Sequence, residues 1–334
     1  MPKSNYWKKI KENHLKAPFF SLAPMEAVTD TVFRRVVKQA SAPDNFYTEF
    51  TNATSITHEK AKFSVRHRLY VDENEKQPIV QLWGNGDDPE SFASAADAIK
   101  DMGFLAIDLN MGCPDPTVIK NHGGSDYIRH YENAAKVITA TKKAGLPVSV
   151  KTRLGFSSID DYHEWIPFLL KQDIEVLTVH LRSKKEMSKA GAHFEVIADI
   201  LKMRDEISPD TLIQINGDIK TKEQGLQLAK KYPGIDGIMI GRGIFENPFA
   251  FDDAKQHSQE ELFALFRMQL DLYDDYVLNI GPKRFESLRR FFKIYIRGLP
   301  NAATYRDRLV RTTSTDEARQ IIDEIENKSE LEND

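Results

Sequence analysis

The sequence predicts a (β/α)8 TIM barrel followed by a small all-helical domain, and three observations carry that reading. Eight short β-branched or apolar runs recur at spacings of a few tens of residues, most of them separated by helix-patterned stretches. Nearly every run ends in a chemically capable side chain. After Pro248 the strand pattern stops and only helical periodicity continues.

The runs are Phe19–Ala23, Phe46–Glu49, Ile79–Leu82, Leu105–Leu109, Val148–Lys151, Val176–His180, Leu212–Ile215 and Gly237–Ile240. Between them, Glu90–Met102 follows Asp-Asp-Pro and stops at Gly103, a start and stop pair for a helix. Tyr131–Ala144 stops at Gly145-Leu-Pro, and Ile197–Arg204 and Lys222–Lys231 are patterned alike. Alternation alone fits a doubly wound sheet as well as a barrel. The strand ends decide: Pro24-Met25, Glu49, Gln81, Asn110, Lys151-Thr-Arg153, His180-Leu-Arg182, Asn216-Gly-Asp218 and Gly241-Arg242. A barrel gathers all eight C-terminal strand ends around one mouth. A doubly wound sheet wants a Gly-rich loop after its first strand, and here that loop is Ala23-Pro-Met-Glu-Ala. Residues 1–248 are therefore expected to form the barrel. Beyond them Ser258–Val277, Lys283–Arg297 and Ser314–Lys328 read as helices, broken at Asn279-Ile-Gly-Pro282 and Gly298-Leu-Pro300, so 249–334 is expected to be a helical domain with an acidic tail.

Composition narrows the class. The chain has 334 residues, 41% hydrophobic and 29% charged, an ordinary globular balance. No apolar run approaches the roughly 20 residues of a membrane span, and the polar start of the chain has no leader-like stretch. A single cysteine excludes an internal disulfide and a Cys-based zinc site, and suits a reducing cytoplasm. The histidines show no paired ligand spacing, so no metal is expected. The net charge of −4 does not suggest a nucleic-acid partner, but its distribution is uneven. Lys283 to Arg311 holds nine basic residues against Glu286 and Asp307, a net +7, whereas Asp316 to Asp334 has eight acids against Arg319 and Lys328.

Several constellations could carry chemistry. Asn216-Gly217-Asp218 and Gly241-Arg242-Gly243 follow the seventh and eighth strands, where barrels often bind a phosphate on backbone N–H groups. Arg242 adds a forked, permanent cation. Lys151 admits two roles, a cation beside the N1/C2=O edge of a flavin or a Schiff-base lysine. Gln81 and Asn110 offer amides to a planar ring, and His180 stands beside Arg182 and opposite Lys151. Cys113 sits between Gly112 and Pro114, followed by Lys120-Asn-His122 and Gly123-Gly124, a polar segment suited to a substrate. A thiol with a pKa of roughly 8.5 is mostly protonated at neutral pH, so it can donate a proton as well as attack.

These residues resemble a known family. Ala23-Pro-Met, Thr48-Glu49, Gln81-Leu-Trp-Gly84, Asp108-Leu-Asn-Met-Gly-Cys-Pro114, Lys120-Asn121, Val150-Lys-Thr-Arg-Leu-Gly155, Val179-His180, Asn216-Gly-Asp218, Ile240-Gly-Arg-Gly243 and Arg290-Phe-Phe-Lys293 are similar, in order, to the tRNA-dihydrouridine synthases. The resemblance spans residues 18 to 312. It implies FMN in the barrel mouth, reduced by NADPH, with a hydride passing to C6 of an extruded uracil and a proton reaching C5 from Cys113. It implies that Pro24, Met25, Glu26, Gln81, Lys151, His180, Asn216, Gly217, Asp218, Gly241 and Arg242 bind the cofactor. Asn110, Lys120, Arg153 and Arg182 would meet the substrate. Arg289 and Arg290, in the basic segment, would grip tRNA phosphates. The chain departs from the family pattern at His180-Leu-Arg182, usually His-Gly-Arg; at Ser183 to Lys189; at His193-Phe194, where Asp-Trp is common; and at Glu26-Ala27, usually a small pair. Three other readings stay open on residues alone: a flavin enzyme acting on a free pyrimidine, like dihydroorotate dehydrogenase; a lysine-dependent aldolase; and an RNA-binding protein without catalysis.

Overall fold

The computed structural model describes residues 6–253 and 256–333, with the backbone alone for 328–333; the polar residues 1–5 and the last acid of the tail, Asp334, lie outside them. Its strands are β1 (Phe19–Leu22), β2 (Thr51–Asn52), β3 (Val80–Trp83), β4 (Ile107–Met111), β5 (Val148–Gly155), β6 (Val176–Ser183), β7 (Leu212–Asn216) and β8 (Gly237–Ile240). All eight pair in parallel in the order β1-β8-β7-β6-β5-β4-β3-β2. The strands alternate with helices, as the right-handed parallel crossover requires. The expected TIM-barrel architecture is the one observed.

Closure is made by irregular backbone rather than by the expected second strand. Ser21 bridges Asn45 and Tyr47 bridges Ile79; Leu22 N donates to Asn45 O at 3.0 Å and Thr48 N to Ile79 O at 2.9 Å. The run Phe46–Glu49 thus lies at the strand position but forms only isolated bridges. Its neighbours compete for the backbone: the hydroxyls of Thr48 and Thr51 both donate to Glu49 O, at 2.8 and 3.3 Å.

The bottom of the barrel is closed by a helix that the periodicity did not announce, Tyr6–Asn13. Its two buried residues, Trp7 and Ile10, pack with Phe19, Tyr47, Ile79, Ala106, Val176 and Leu212. Burying an indole removes about 150–250 Å² from water, worth about 4–6 kcal/mol at ~25 cal/mol per Å² before ordering entropy is counted. Among the lysines of this segment, only that tertiary burial selects a helix.

The chain divides into two compact units, residues up to 31 with 43–243, and residues 32–42 with 244–334. The second unit thus takes in most of helix Thr31–Ser41 as well as the segment expected after residue 248. Phe33 explains this assignment, with its ring 6.2 Å from Phe245 and 4.5 Å from Phe291. The unit's other helices are Gln259–Asn279, Arg289–Tyr295, Ala302–Arg311 and Thr315–Asn333. The first starts with a capping box: Glu261 N donates to Ser258 Oγ at 3.1 Å and Ser258 N to Glu261 Oε2 at 2.7 Å. The expected helix Lys283–Arg297 is shorter, preceded by a 3-10 turn at Phe285–Leu288. No helix among the described residues is long and apolar enough to cross a membrane.

Candidate active site

The C-terminal ends of β3 to β8 carry the polar residues of the mouth, and their geometry starts in the barrel interior. Asp108, on β4, is fully buried; its carboxylate accepts from Ser149 Oγ and from Gln81 Nε2, both at 2.6 Å. Gln81 Oε1 accepts from Asn110 Nδ2 at 3.1 Å, and Asn110 Oδ1 accepts from Cys113 N at 2.9 Å and Gly112 N at 3.2 Å. A carboxylate only accepts, so Asp108 dictates which way both amides face. Asn110, expected at the substrate, is 9% exposed and its side chain shapes the cysteine loop. Gln81, expected at the cofactor, is 1% exposed and links Asp108 to Asn110.

Burial pushes the Asp108 carboxyl up to about 6, against the pull of Gln81, Ser149 and Lys151. A folded-state pKa raised above the unfolded value contributes stability that is full at low pH and is lost as pH rises through it. Asp108→Asn keeps both hydrogen bonds, because an amide can donate to Ser149 and accept from Gln81. The variant should therefore melt several degrees above the parent at pH 7. The gap should close as pH falls below about 4, in thermal melts at a series of pH values. A constant gap would remove ionisation as its cause.

Lys151 and Arg153 point from β5. Lys151 Nζ donates to Asn216 Oδ1 at 3.3 Å; burial, then Arg153, brings its ammonium down to about 8. Arg153, 7% exposed, donates to three carbonyls: Gly112 O at 2.8 Å, Ser183 O at 3.1 Å and Met187 O at 2.8 Å. The sequence suggested a substrate contact for it; the structure uses its guanidinium to tie the cysteine loop to the end of β6. Burial holds the Cys113 thiol above the ordinary thiol range. Lys120, at the end of helix Pro116–Lys120, is exposed.

At β6 and β7 a second network forms. Arg182, 1% exposed, donates through Nε to Ala190 O at 2.7 Å, lies 3.1 Å from His180 Nε2 and pairs with Asp218. Because a guanidinium only donates, His180 Nε2 accepts and its proton resides on Nδ1. Burial, then Arg153, Lys151, Arg182 and Arg242, keeps this imidazole well below its ordinary value, hence neutral. Burial would raise the Asp218 carboxyl, but Arg182 and the Ala192 N–H, 3.0 Å away, hold it below its usual range. Arg182, a suggested substrate contact, thus braces Asp218, His180 and the loop 184–193.

The turn Asn216-Gly217-Asp218 is conformationally special. Gly217 has φ 121° and Asp218 φ 52°, and a Cβ on Gly217 would lie 3.1 Å from His180 Cδ2. Among the described residues, no carbonyl accepts from the N–H of Gly217 or Gly241. The exposed Arg242 extends beside them, 3.7 Å from Asp218 Oδ1. At β1, Met25 N donates to Thr29 Oγ1 at 3.0 Å, which closes its own turn, and Pro24 is half-buried. Glu26 is engaged by both Nη atoms of Arg68 at 2.5 Å, a partner that sequence reading did not suggest. Arg289 and Arg290 stand in the second unit at the start of helix Arg289–Tyr295, Arg289 donating to Thr312 O at 3.0 Å. Part of the basic block there is paired internally: Arg308 with Glu324 and Arg311 with Asp307. Lys293, Arg297 and Arg306 are exposed. Among the described residues, no group of three or more His, Cys, Asp or Glu side chains could hold a metal ion. A cavity of about 910 Å³ is lined by residues 128–133, 156–157, 160–161 and 163–164, not by Cys113, Lys151 or His180.

The family model for dihydrouridine synthases, abbreviated Dus, matches residues 21–331. The chain belongs to the dihydrouridine synthase family. Among its relatives, a Bacillus subtilis protein named "Probable tRNA-dihydrouridine synthase 2" is 50% identical over 97% of this chain and 97% of its own. Staphylococcus epidermidis and Staphylococcus aureus proteins named "Probable tRNA-dihydrouridine synthase" are also 50% identical over 97% of this chain, covering 97% and 96% of theirs. Among solved structures, histamine dehydrogenase from Rhizobium sp. 4-9 aligns with TM-score 0.50 and 12% identity, over 80% of this chain and 50% of that one. A 2-naphthoyl-CoA reductase aligns with TM-score 0.51 and 9% identity, over 72% and 51%. The chain therefore spans about half the length of those two solved chains, and the likeness shows the shared barrel fold.

Proposed function

We propose that this chain reduces the C5–C6 double bond of uridines in tRNA, with FMN as cofactor, NADPH as reductant and Cys113 as the acid that protonates C5. The observation that carries the reading is the joint one: a cysteine loop, a half-buried lysine and a glycine–arginine turn share one barrel, in a chain 50% identical over 97% of its length to proteins named for this activity.

The residues fit a flavin mononucleotide. A phosphate would accept from the N–H groups of Gly217 and Gly241, which no protein carbonyl uses among the described residues, and from the exposed Arg242 fork. Lys151 retains a cation at neutral pH with a value near 8, and a cation suits the ring edge where negative charge develops on reduction. Pro24, Met25, Gln81 and His180 would border the ring; Glu26, held by Arg68, would flank them. When bound, FMN supplies the two-electron chemistry that carries a hydride from NADPH to C6 of the uracil. The chain's own contribution is to hold a protonated thiol. The raised pKa of Cys113 keeps its proton available at neutral pH, and Arg153 and Asn110 fix its loop. A uracil in folded RNA must be extruded to reach the thiol, so we assign tRNA binding to the basic surface of the helical unit, Lys293, Arg297 and Arg306 included. A chain with a single cysteine suits a reducing cytoplasm, where we place the reaction.

The purified chain should be yellow, should consume NADPH and should form dihydrouridine in tRNA from cells lacking the gene. Reduction of free uracil or orotate without any change in tRNA would instead establish the free-pyrimidine reading. Colourless protein that refuses FMN would remove the flavin. Arg242→Ala should weaken FMN binding about tenfold, the scale of one lost charge-assisted hydrogen bond, as titrated by flavin fluorescence.

A further inference from the structure

Asp126 lies outside the two networks of the mouth, yet it is buried, its side chain 2% exposed, in the segment that follows Cys113. Three side chains converge on its carboxylate. Arg129 pairs with Oδ1; His130 Nδ1, hydrogen-bonded to the main-chain Asp126 O at 3.1 Å, lies equally close to Oδ2, and His122 Nδ1 lies 3.4 Å from Oδ2. The three partners are themselves about half exposed, at 49%, 45% and 52%. A buried carboxylate is tolerated only when paired, so this one gathers residues 122 to 130 into a single hub.

The hub presses on the cysteine. Asp126 N donates to Gly123 O at 3.1 Å, and Ser125 N donates to Cys113 O at 2.9 Å. Between them Gly124, at φ 59°, lies so close that a Cβ would stand 2.7 Å from Cys113 O and 3.1 Å from Cys113 Cβ. His122 O accepts from Gly86 N at 3.1 Å, which anchors the far side to the loop after β3. The Arg129 guanidinium stacks 3.9 Å from the ring of Phe156, just beyond the strand that carries Lys151 and Arg153. The Cys113 backbone is therefore held on its N–H by Asn110 and on its carbonyl by the segment that Asp126 organises.

We infer that Asp126 is a positioning residue for Cys113, acting through the Gly123–Ser125 backbone to keep the thiol shielded and aimed. The inference rests on the reading of Cys113 as the acid only for its catalytic consequence; the clasp itself is a claim about one thiol's accessibility. Because Arg129, His122 and His130 are half exposed, water can satisfy them when Asp126 is removed, and the barrel should survive.

Cys113 is the only cysteine, so alkylation by iodoacetamide, followed by intact mass on the full chain, reads this thiol alone. Asp126→Asn, which keeps volume and removes charge, should raise the alkylation rate about tenfold, the change in open population when one charge-assisted hydrogen bond is lost. It should lower kcat with KM for tRNA little changed and FMN binding retained. His122→Ala, at a half-exposed arm, guards against a fold defect and should raise the rate in the same direction by a smaller factor. Unchanged alkylation in both variants overturns the clasp. So does a rise that occurs only together with a fall in melting temperature and loss of FMN, since that is a global effect. If Cys113→Ala keeps full activity while Asp126→Asn still speeds alkylation, the acid assignment fails and the clasp stands.

Discussion

Replacing Cys113 by alanine should lower dihydrouridine formation in tRNA by about 10²–10⁴-fold, the usual contribution of a positioned general acid. FMN content and melting temperature should stay as in the parent. The backbone of Cys113, not its side chain, makes the contacts with Asn110 and Ser125, so alanine preserves the loop. Burial raises the thiol pKa, so the side chain keeps its proton at neutral pH, as the proposed acid role requires. Serine should not restore the rate, because a hydroxyl is a far weaker acid. Dihydrouridine measured by mass spectrometry of tRNA from a complemented deletion strain checks this; full product with Cys113→Ala would end the acid role.

Arg182→Ala should be the most damaging single change to the barrel mouth. Arg182 is 1% exposed, and its loss would leave Ala190 O, His180 Nε2 and the Asp218 carboxylate without their common donor. Breaking a buried pair costs several kcal/mol, and Asp218 is itself about one-third exposed, so about 2–3 kcal/mol is expected. For a unit of this size that corresponds to a melting temperature roughly 4–12 °C lower. Two local signatures should accompany it. Tryptic cleavage at Lys184, Lys185 and Lys189 should accelerate, because the loop loses its tether at Ala190. The His180 imidazole should titrate higher, since Arg182 is one of the cations that depress it. Arg182→Lys should recover little, as an ammonium cannot span three acceptors. A melting temperature within about 1 °C of the parent would contradict this account.

The loop from Ser183 to Phe194 is not legible in its residues alone. The chain departs there from the family pattern, and the local pattern gives no replacement. In the structure the substituted residues serve one another: His193 Nε2 lies 2.7 Å from Glu186 Oε1, and Glu186 Oε2 accepts from Ser183 N at 2.7 Å. Hydrogen bonding to Glu186 raises the His193 imidazole above its ordinary value. Asp108 is a different case. An acid inside the apolar run Ile107–Met111 is a visible signal, but its role depends on Gln81 and Ser149, which come from two other strands.

The barrel and its mouth were legible in the sequence because both follow from local pattern. A run of β-branched residues marks a strand wherever it occurs, and parallel crossovers carry every C-terminal strand end to the same face, so the polar residues at those ends had to meet. The tertiary structure decided what each of them touches. It turned Asn110 inward to the cysteine loop, committed Glu26 to Arg68, made Arg153 and Arg182 braces, and set Asp126 against His122, Arg129 and His130. The reason is range. Periodicity is a property of neighbours in the chain, whereas a hydrogen bond or ion pair is decided over a few tenths of an ångström, often between residues tens of positions apart, and only after the barrel has closed.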